Sequence, residues 1–392
     1  MNKRLLVIIL ILCLVFALLV GGRFFYFMFF IVSSIAAYSY FSVKNVSNQL
    51  VGLCWINTNT VERDTSVEVS YKIYNSSMLP IPYVEIDYNI PHKLFSRTVN
   101  EDALTLLPFE TIEVKKEVEC QRRGIYHLGN IKITISDIFS LVNKTVCLKD
   151  DVMVTVYPKI YELSNLRLLG NESYGLLKSN TGHDEDYSSI RDIRKYHVGD
   201  SLKRINWKVT ARKGELFIKN YDIYNNIKIR LYVDFDLDKY CDDADGLVEE
   251  KIVECAISII KYTLTRDIPI EFTTYTEGRI SMYGKNLNNF KGFLELLTTI
   301  SPQKNISLKD VIDFEKKILP LSDTIIMITP RVDDRLVTLA ISLKKRGHSV
   351  AVISVADFKK IQSWYNNIAL LEKSAIEAYQ VRIEDDIARV LR

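Results

Sequence analysis

Two uninterrupted apolar runs open the chain. They cover residues 5–20 and 24–41 and are separated by the pair Gly21-Gly22 and one arginine. Each run approaches the ~20 apolar residues with which a helix crosses the hydrocarbon of a bilayer. Backbone polar groups in hydrocarbon must be satisfied within the segment itself, which requires helices. The pattern therefore predicts a transmembrane helical hairpin within residues 1–45.

The charges beside these runs bear on membrane topology. Lys3 and Arg4 resemble the basic start of a signal peptide, which is the alternative interpretation of the first run. However, no small-residue cleavage site follows, and a second apolar run begins almost at once. Lys44 lies on the same side as Lys3 and Arg4, with Arg23 alone on the other side. Positive-inside counting then predicts a two-helix protein of the cell membrane with its soluble domains in the cytoplasm.

Residues 46–160 alternate apolar and polar positions with a period of two. Such short alternating segments, separated by turn residues, are typical of strands in a small β-sandwich. We therefore expect an immunoglobulin-like β-sandwich in this region. The alternating segments are Ser66–Asn75, Tyr83–Ile90, Thr111–Cys120, Asn130–Ser136 and Val152–Pro158.

The pattern changes again in the last half of the chain. Residues 161–190 are polar and contain no clear periodicity, which predicts a linker or exposed loop. Within residues 191–392, apolar strands at Ile227–Phe235 and Asp323–Thr329 alternate with amphipathic helices such as Leu247–Leu264. Strands that alternate with helices predict an α/β domain with a mostly parallel sheet.

Composition narrows the classes of function. The formal net charge of +3 gives the whole chain no strong attraction to polyanions, so any basic surface must be local. The six cysteines are scattered, without the spacing of a zinc site. The sequence also lacks a nucleophile elbow, a phosphate-binding loop, a dinucleotide fingerprint and a metalloprotease motif. We therefore expect a protein that is not an enzyme.

The stretch Arg191–Asp222 concentrates charged and aromatic residues. Basic residues interleaved with Trp207, Tyr196 and Tyr221 are compatible with a platform for single-stranded nucleic acid, but acidic residues within the stretch offer internal partners. A structural junction is the favoured interpretation, in which Arg194, Arg204 and Arg212 each bind a carboxylate or a carbonyl. Trp207 lies between two β-branched apolar residues and is then expected to pack inward.

A second candidate is the acidic sequence DFDLD, which follows a predicted strand. Ligands of open α/β sheets bind outside the carboxyl ends of the strands. Asp234, Asp236 and Asp238 are hard oxygen ligands on alternate residues, which suits Mg²⁺ or Ca²⁺. The alternative interpretation is a polar loop in which one aspartate begins a helix.

Two motifs resemble a known family. The stretch RKYHVGDSLKRINWKVTARKGELFIKNYD resembles the signature of the domain-of-unknown-function 58 family of bacterial membrane proteins. Upstream, RRGIYHLGNIKITISDIFSLV resembles a second family segment, in which Ser140 replaces a glycine. The signature matches are Arg194, Tyr196, Gly199, Asp200, Arg204, Ile205, Trp207, Ala211, Arg212 and Leu216, and the upstream matches are Arg122, Arg123, Gly124, Tyr126, Gly129, Asp137 and Phe139.

This resemblance implies a C-terminal domain similar to a von Willebrand factor A domain. It also implies two protein partners, a MoxR-type AAA+ ATPase and a transglutaminase-like membrane protein. The metal site of von Willebrand factor A domains uses Asp-x-Ser-x-Ser, in which Asp234 matches the aspartate, whereas Asp236 and Asp238 replace the serines. Such a site is degenerate.

We therefore expect a membrane-bound scaffold that takes part in envelope or stress processes. The scaffold would bind proteins rather than nucleic acid. A metal-dependent binding or hydrolytic site at the three aspartates is the alternative.

Overall fold

The structure is a computed structural model in which the chain forms two compact units, Met1–Lys159 and Ile160–Arg392. It describes residues 3–88, 90–91, 102–164, 166, 185–197, 200–223, 228–303, 308–315, 319–321, 323–356 and 363–392.

Two helices begin the first unit. Helix α1 covers Lys3–Val20 and helix α2 covers Arg23–Gln49, with Gly21 and Gly22 between them at positive φ angles of 69° and 95°. Glycine adopts these left-handed conformations without steric cost, so the pair permits a tight connection. Among the described residues, α2 is the one helix long and apolar enough to cross a membrane, and the apolar part of α1 is shorter.

Among the described residues of this unit, eight strands follow in two sheets. One sheet has the order β1-β3-β6 and the other has the order β2-β8-β7-β4-β5. The strands are β1 Leu50–Ile56, β2 Thr60–Glu62, β3 Ser66–Asn75, β4 Ile81–Asp87, β5 Asp102–Leu106, β6 Thr111–Glu119, β7 Gly124–Ser136 and β8 Asn143–Tyr157.

The two sheets share one hydrophobic core, to which each contributes alternate residues. Val67, Val69 and Tyr71 of β3 are buried, as their period-two spacing predicts. Tyr71 also packs against Tyr88, with 4.7 Å between the ring centroids. Burial of apolar side chains between two sheets is the main stabilising term in such an arrangement.

Helix α2 is longer than the sequence pattern predicts. It continues past residue 41 and replaces the start of the predicted β region at residue 46. Its last turns bury Ser39, Ser42, Val43, Val46 and Ser47, and this part of α2 contacts β7 and β8. These side chains are small or β-branched, which lets the helix backbone approach the sheet, so packing extends the helix beyond the apolar run.

The second unit begins with a separate two-stranded antiparallel ribbon of β9 and β10. Its main sheet has the order β13-β12-β11-β14-β15-β16, in which β13 is antiparallel and the other strands are parallel. The strands are β9 Glu185–Lys195, β10 Phe217–Ile223, β11 Ile229–Val233, β12 Ile270–Tyr275, β13 Arg279–Gly284, β14 Thr324–Thr329, β15 Ser349–Val355 and β16 Glu377–Val381.

Helices cover both faces of this sheet. One hydrophobic core joins the sheet to α4, α5 and α9, and a second core joins the opposite face to α6, α7 and α8. The helices are α3 Trp207–Lys213, α4 Leu247–Thr265, α5 Phe290–Thr299, α6 Leu308–Glu315, α7 Asp334–Lys345, α8 Ser363–Lys373 and α9 Ile387–Val390. The second unit is therefore an α/β domain with a mostly parallel sheet.

The polar stretch at residues 161–190 differs from the linker that the sequence pattern predicts. Residues 185–190 form the first part of β9, paired with β10. Leu163 is buried in the core beside α4, and the backbone amide of Tyr161 donates to the Ser258 hydroxyl at 2.9 Å. The start of this stretch is therefore packed against the α/β domain, while residues 167–184 lie outside the described residues.

Ser140 generates a prediction about the β7–β8 turn, because its φ of 50° is a left-handed conformation. The Ser140→Gly variant removes the steric penalty that a Cβ atom causes in this left-handed conformation, which is about 1–2 kcal/mol. The greater freedom of glycine in the unfolded chain costs about 0.4–1 kcal/mol. We expect a net stabilisation of about 0.5–1 kcal/mol, measured by chemical denaturation of the detergent-solubilised chain.

Ser201 provides the matched control, because it is exposed and has a φ of −69°. The Ser201→Gly variant relieves no backbone strain. Its one expected effect is the greater conformational entropy of glycine in the unfolded chain, so the free energy of unfolding does not increase. An equal response of the two variants would contradict the proposed strain at Ser140.

Candidate functional site

An Arg–carboxylate pair holds the signature segment together. Arg194 of β9 donates from both guanidinium nitrogens to the two carboxylate oxygens of Asp200, each at 2.8 Å. The backbone amide of His197 donates to the same carboxylate at 2.8 Å. The Arg194 guanidinium and the His197 amide lower the pKa of Asp200. This bidentate geometry confirms the sequence-based expectation for Arg194.

The rest of the segment is tied to β10 through its backbone. The amide of Tyr196 donates to the carbonyl of Leu216 at 2.9 Å, and the amide of Asn206 donates to the carbonyl of Phe217 at 2.8 Å. The Asn206 side chain then accepts from the backbone amide of Val209 and caps α3. An asparagine at this position is a favoured helix start, so the chain turns from ribbon to helix at Trp207.

The predicted packing of Trp207 is wrong. Its side chain is 69% exposed, because helix α3 begins at this residue and faces it outward. Arg212, also on α3, is exposed, and no carboxylate or carbonyl among the described residues binds its guanidinium. Arg204 is half-buried at the end of the short 3₁₀ helix Leu202–Arg204. Gly199, another signature residue, lies outside the described residues.

Several exposed side chains therefore project from this part of the chain. Leu202 and Trp207 are both large, apolar and exposed. Lys203, Lys208 and Arg212 are exposed basic residues in the same short stretch. We call these five residues the signature surface.

The three candidate metal ligands lie at a different place, where the order of strands in the main sheet reverses. Strand β11 pairs with β12 on one side and with β14 on the other. The next strand along the chain after β11 is β12, whereas β14 follows later, so their connections diverge at this point. Asp234 follows β11, and Thr329 ends β14. Open α/β sheets usually bind ligands at such a switch point.

Asp234 is buried and receives several donors. Its Oδ2 accepts from the Lys239 ammonium at 2.7 Å and from the Thr329 hydroxyl at 2.9 Å. Its Oδ1 faces the backbone amide of Asp236 at 3.3 Å. The Tyr240 hydroxyl donates to the Asp234 carbonyl at 2.6 Å, which closes the loop after β11.

Lys239 supplies the positive charge within this cluster. Its side chain is 12% exposed, and its Nζ lies 3.6 Å from a carboxylate oxygen of Asp333, which caps α7. Burial acts to lower the pKa of Lys239, but Asp234, Asp333 and Asp236 outweigh it and raise the pKa above 10.5. The folded state therefore holds the ammonium more tightly than the unfolded chain. The resulting stabilisation is fully present at neutral pH and is lost as the pH rises through the folded pKa.

Asp236 and Asp238, the other two candidate ligands, differ from Asp234 in their surroundings. Asp236 caps the short 3₁₀ helix Leu237–Tyr240 by accepting from the amide of Asp238 at 3.3 Å. Burial and the nearby Asp234 charge raise the pKa of Asp236. Asp238 is exposed. Among the described residues, no group of three or more His, Cys, Asp or Glu side chains is arranged to hold a metal ion.

A family match covers the signature segment and the start of the α/β domain. Residues 192–266 match the model described as "Protein of unknown function DUF58". This segment of the chain is similar to the DUF58 family. The matched range includes Arg194, Asp200, Trp207 and Asp234, and so contains both the signature surface and the loop that carries Lys239.

A curated relative is similar to a longer part of the chain. The chain is 23% identical over 189 residues to the uncharacterized protein YeaD of Bacillus subtilis strain 168. The match covers 47% of this chain and 46% of YeaD, so it spans about half the length of that relative.

Solved structures show weaker similarity to this chain. A CARDB domain from Pyrococcus furiosus, solved with di-metal ions, is 15% identical and covers 27% of this chain and 91% of its own, with a TM-score of 0.21. Proximal thread matrix protein 1 of the mussel byssus is 12% identical and covers 42% of this chain and 45% of its own, with a TM-score of 0.31. At these TM-scores neither structure indicates the fold or the function of this chain.

Sequence reasoning missed two residues that complete the Asp234 cluster. Lys239 lies five residues after Asp234. This short separation, within the loop that follows the strand, could have indicated that the two side chains meet. Thr329 is separated from Asp234 by 95 positions and is brought to it by the pairing of β11 with β14. Lys239 and Thr329 both donate to the Asp234 carboxylate, and the Lys239 ammonium neutralises its charge.

The Asp234–Lys239 pair generates a stability prediction. Lys239→Met leaves Asp234 buried without its counter-charge, and breaking such a pair costs about 3–5 kcal/mol. The double variant Asp234→Asn/Lys239→Met removes both charges and recovers most of this loss. Denaturant unfolding of the solubilised chain measures both effects, with exposed Lys208→Met as the control. A Lys239→Met variant as stable as the parent would contradict the pairing.

The same geometry generates a prediction about metals. Because the Lys239 ammonium lies against Asp234 Oδ2, we expect Mg²⁺, Ca²⁺ or a chelator to leave the unfolding temperature of the parent chain unchanged. A cation that binds the folded state would raise this temperature. A rise that Asp234→Asn abolishes would instead support the metal-dependent alternative.

Proposed function

We propose that this chain is a membrane-anchored, non-enzymatic scaffold that binds a protein partner through its signature surface. The exposure of Trp207 carries the proposal. A tryptophan on the first turn of α3 is held in place by the Asn206 cap below it. Tryptophan and arginine dominate the binding energy of protein interfaces, and a rigid support reduces the entropic cost of binding.

The charge of the signature surface suggests the chemistry of the partner. Lys203, Lys208 and Arg212 are exposed within ten residues of the exposed apolar Leu202 and Trp207, a composition that fits an acidic partner surface with apolar residues. Single-stranded nucleic acid is less well suited, because it stacks successive bases on several aromatic side chains. Trp207 is the one aromatic residue within residues 200–216.

Lys239 supports a binding role rather than catalysis at the switch point. Nucleophilic lysines require a lowered pKa, whereas the pKa of Lys239 is raised by the carboxylates around it. Its ammonium and the Asp234 carboxylate neutralise each other within the cluster. The cluster is therefore best suited to stabilising the loop after β11 and its junction with β14.

The finer architecture is part of the proposal. We propose that α1 and α2 form a two-span hairpin with both termini in the cytoplasm, and that the two-sheet domain is immunoglobulin-like. We also propose that the α/β domain is similar to a von Willebrand factor A domain. The antiparallel edge strand β13 and the helices on both faces support this assignment.

The partner that the family resemblance implies is a MoxR-type AAA+ ATPase, with a transglutaminase-like membrane protein as a second partner. An ATPase that acts on envelope or stress proteins would be recruited to the membrane by this scaffold. The identity of the ATPase is open to direct test, because its binding should depend on the signature surface.

Trp207→Ala tests the proposed interface. Loss of a central interface tryptophan costs about 2 kcal/mol or more, which corresponds to a roughly 30-fold weaker Kd. We expect this loss when the solubilised chain binds the purified MoxR-type ATPase of the same organism, measured by calorimetry. The folded state should be unaffected, because the ring is exposed.

Tyr283→Ala is the matched control, since Tyr283 is an aromatic residue of β13 that is also more than half exposed. It should bind the ATPase as the parent does. Equal binding by Trp207→Ala and the parent would overturn the assignment of the interface. Binding of single-stranded oligonucleotides with a steep dependence on salt would favour nucleic acid instead.

A further inference from the structure

The turn between β7 and β8 exposes two large apolar side chains. Ile138 is 66% exposed and Phe139 is 55% exposed, at the tip of the longest hairpin in the first unit. We propose that this tip is a membrane-contacting loop, in which Ile138 and Phe139 enter the boundary between lipid headgroups and acyl chains beside α2. The inference rests on the proposed membrane span of α2.

Hydrogen bonds fix the position of the tip along α2. The Ser39 hydroxyl donates to a carboxylate oxygen of Asp137, the first residue of the turn. The Lys144 ammonium, at the start of β8, donates to the Ser47 hydroxyl at 2.6 Å. Ser39 precedes Ser47 by eight helical residues, or about 12 Å along the helix axis. The turn therefore reaches further toward the N-terminal, apolar part of α2 than β8 does.

Contacts between β8 and β1, which follows α2, indicate the same direction of the hairpin along the helix. Leu148 lies against Gly52, and the Asp150 carboxylate accepts from the backbone amide of Cys54 at 2.8 Å. Residues further along β8 thus contact residues further along α2 and β1. Followed in reverse, β8 leads back along α2 to the turn, so the hairpin tip points toward the apolar run.

The depth of this contact matches the membrane interface. The apolar run of α2 from Phe24 to Phe41 spans about 27 Å as a helix, close to the ~30 Å of bilayer hydrocarbon. Ser39 lies at the end of this run, between the exposed rings of Tyr38 and Tyr40. Tyrosine side chains are enriched where hydrocarbon meets water. The turn that Ser39 holds is therefore at the level of the interface.

Asp137 also makes the turn rigid. It is buried, and its carboxylate accepts from the backbone amides of Val142 at 2.8 Å and Phe139 at 3.2 Å. Burial acts to raise the pKa of Asp137, but these bonds and the Ser39 hydroxyl lower it. The carboxylate thus remains charged at neutral pH and presents Ile138 and Phe139 outward, where continuity with an apolar helix favours lipid over a protein partner.

Depth-dependent fluorescence quenching tests this assignment in the full-length chain. Cys13, Cys147 and Cys241 are replaced first, because the remaining cysteines are buried. A single cysteine at Phe139→Cys is then labelled with a polarity-sensitive fluorophore, and the chain is reconstituted into phosphatidylcholine–phosphatidylglycerol vesicles. We expect lipids brominated along the acyl chain to reduce the fluorescence of this label.

Ile125→Cys is the matched control, because Ile125 is an apolar residue that is 51% exposed and lies near the start of β7, at the opposite end of the strand from the turn. It pairs with Thr155 of β8, whereas the turn follows Ser136 at the other end of β7. Its label should retain its fluorescence in brominated vesicles. Equal quenching, or equal absence of quenching, at Phe139 and Ile125 would overturn the loop assignment.

A third label at Phe30→Cys, within the apolar part of α2, separates the two proposals. Quenching at Phe30 without quenching at Phe139 would leave the α2 span supported and overturn the loop assignment alone. Absence of quenching at Phe30 would overturn the span and, with it, the inference about the turn. Quenching at Phe30 and Phe139 but not at Ile125 is the result that the geometry predicts.

Discussion

The continuity of α2 is the constraint on which the first unit depends. A single helix runs from the apolar segment into the β domain without a flexible joint. Asp137 and Lys144 bind this helix at Ser39 and Ser47, so the sheets are fixed to it rather than tethered by it. A domain attached in this way keeps one orientation relative to whatever surrounds the helix, which suits a scaffold.

The second unit uses charge pairs for a comparable purpose. Arg194 and Asp200 hold the signature segment, while Lys239 neutralises the buried Asp234 at the carboxyl end of β11. The buried Asp234–Lys239 pair disfavours structures in which either charge is left alone. The Arg194–Asp200 pair is partly exposed, with side-chain exposures of 41% and 20%, and it acts with the Asn206 cap to hold the segment that leads to Trp207.

Local patterns predicted much of the fold. Strand β3 has the bounds that its alternation indicated, and α4 differs from the predicted helix by a single terminal residue. Packing decided the rest. The alternation of Ile205 and Val209 indicated a buried Trp207, but the period changes from strand to helix at Asn206 and turns the ring outward. The Asp234–Thr329 bond joins residues 95 positions apart, which no local pattern reports.

Crosslinking in intact cells tests the central claim that the signature surface binds a protein. A photoreactive amino acid replaces Lys208, beside Trp207, and a second chain carries it at Tyr283 as the control. We predict an ultraviolet-dependent protein adduct at position 208 that mass spectrometry identifies as an ATPase and that is absent at position 283. Adducts with nucleic acid alone, or adducts no more abundant at position 208 than at 283, would contradict it.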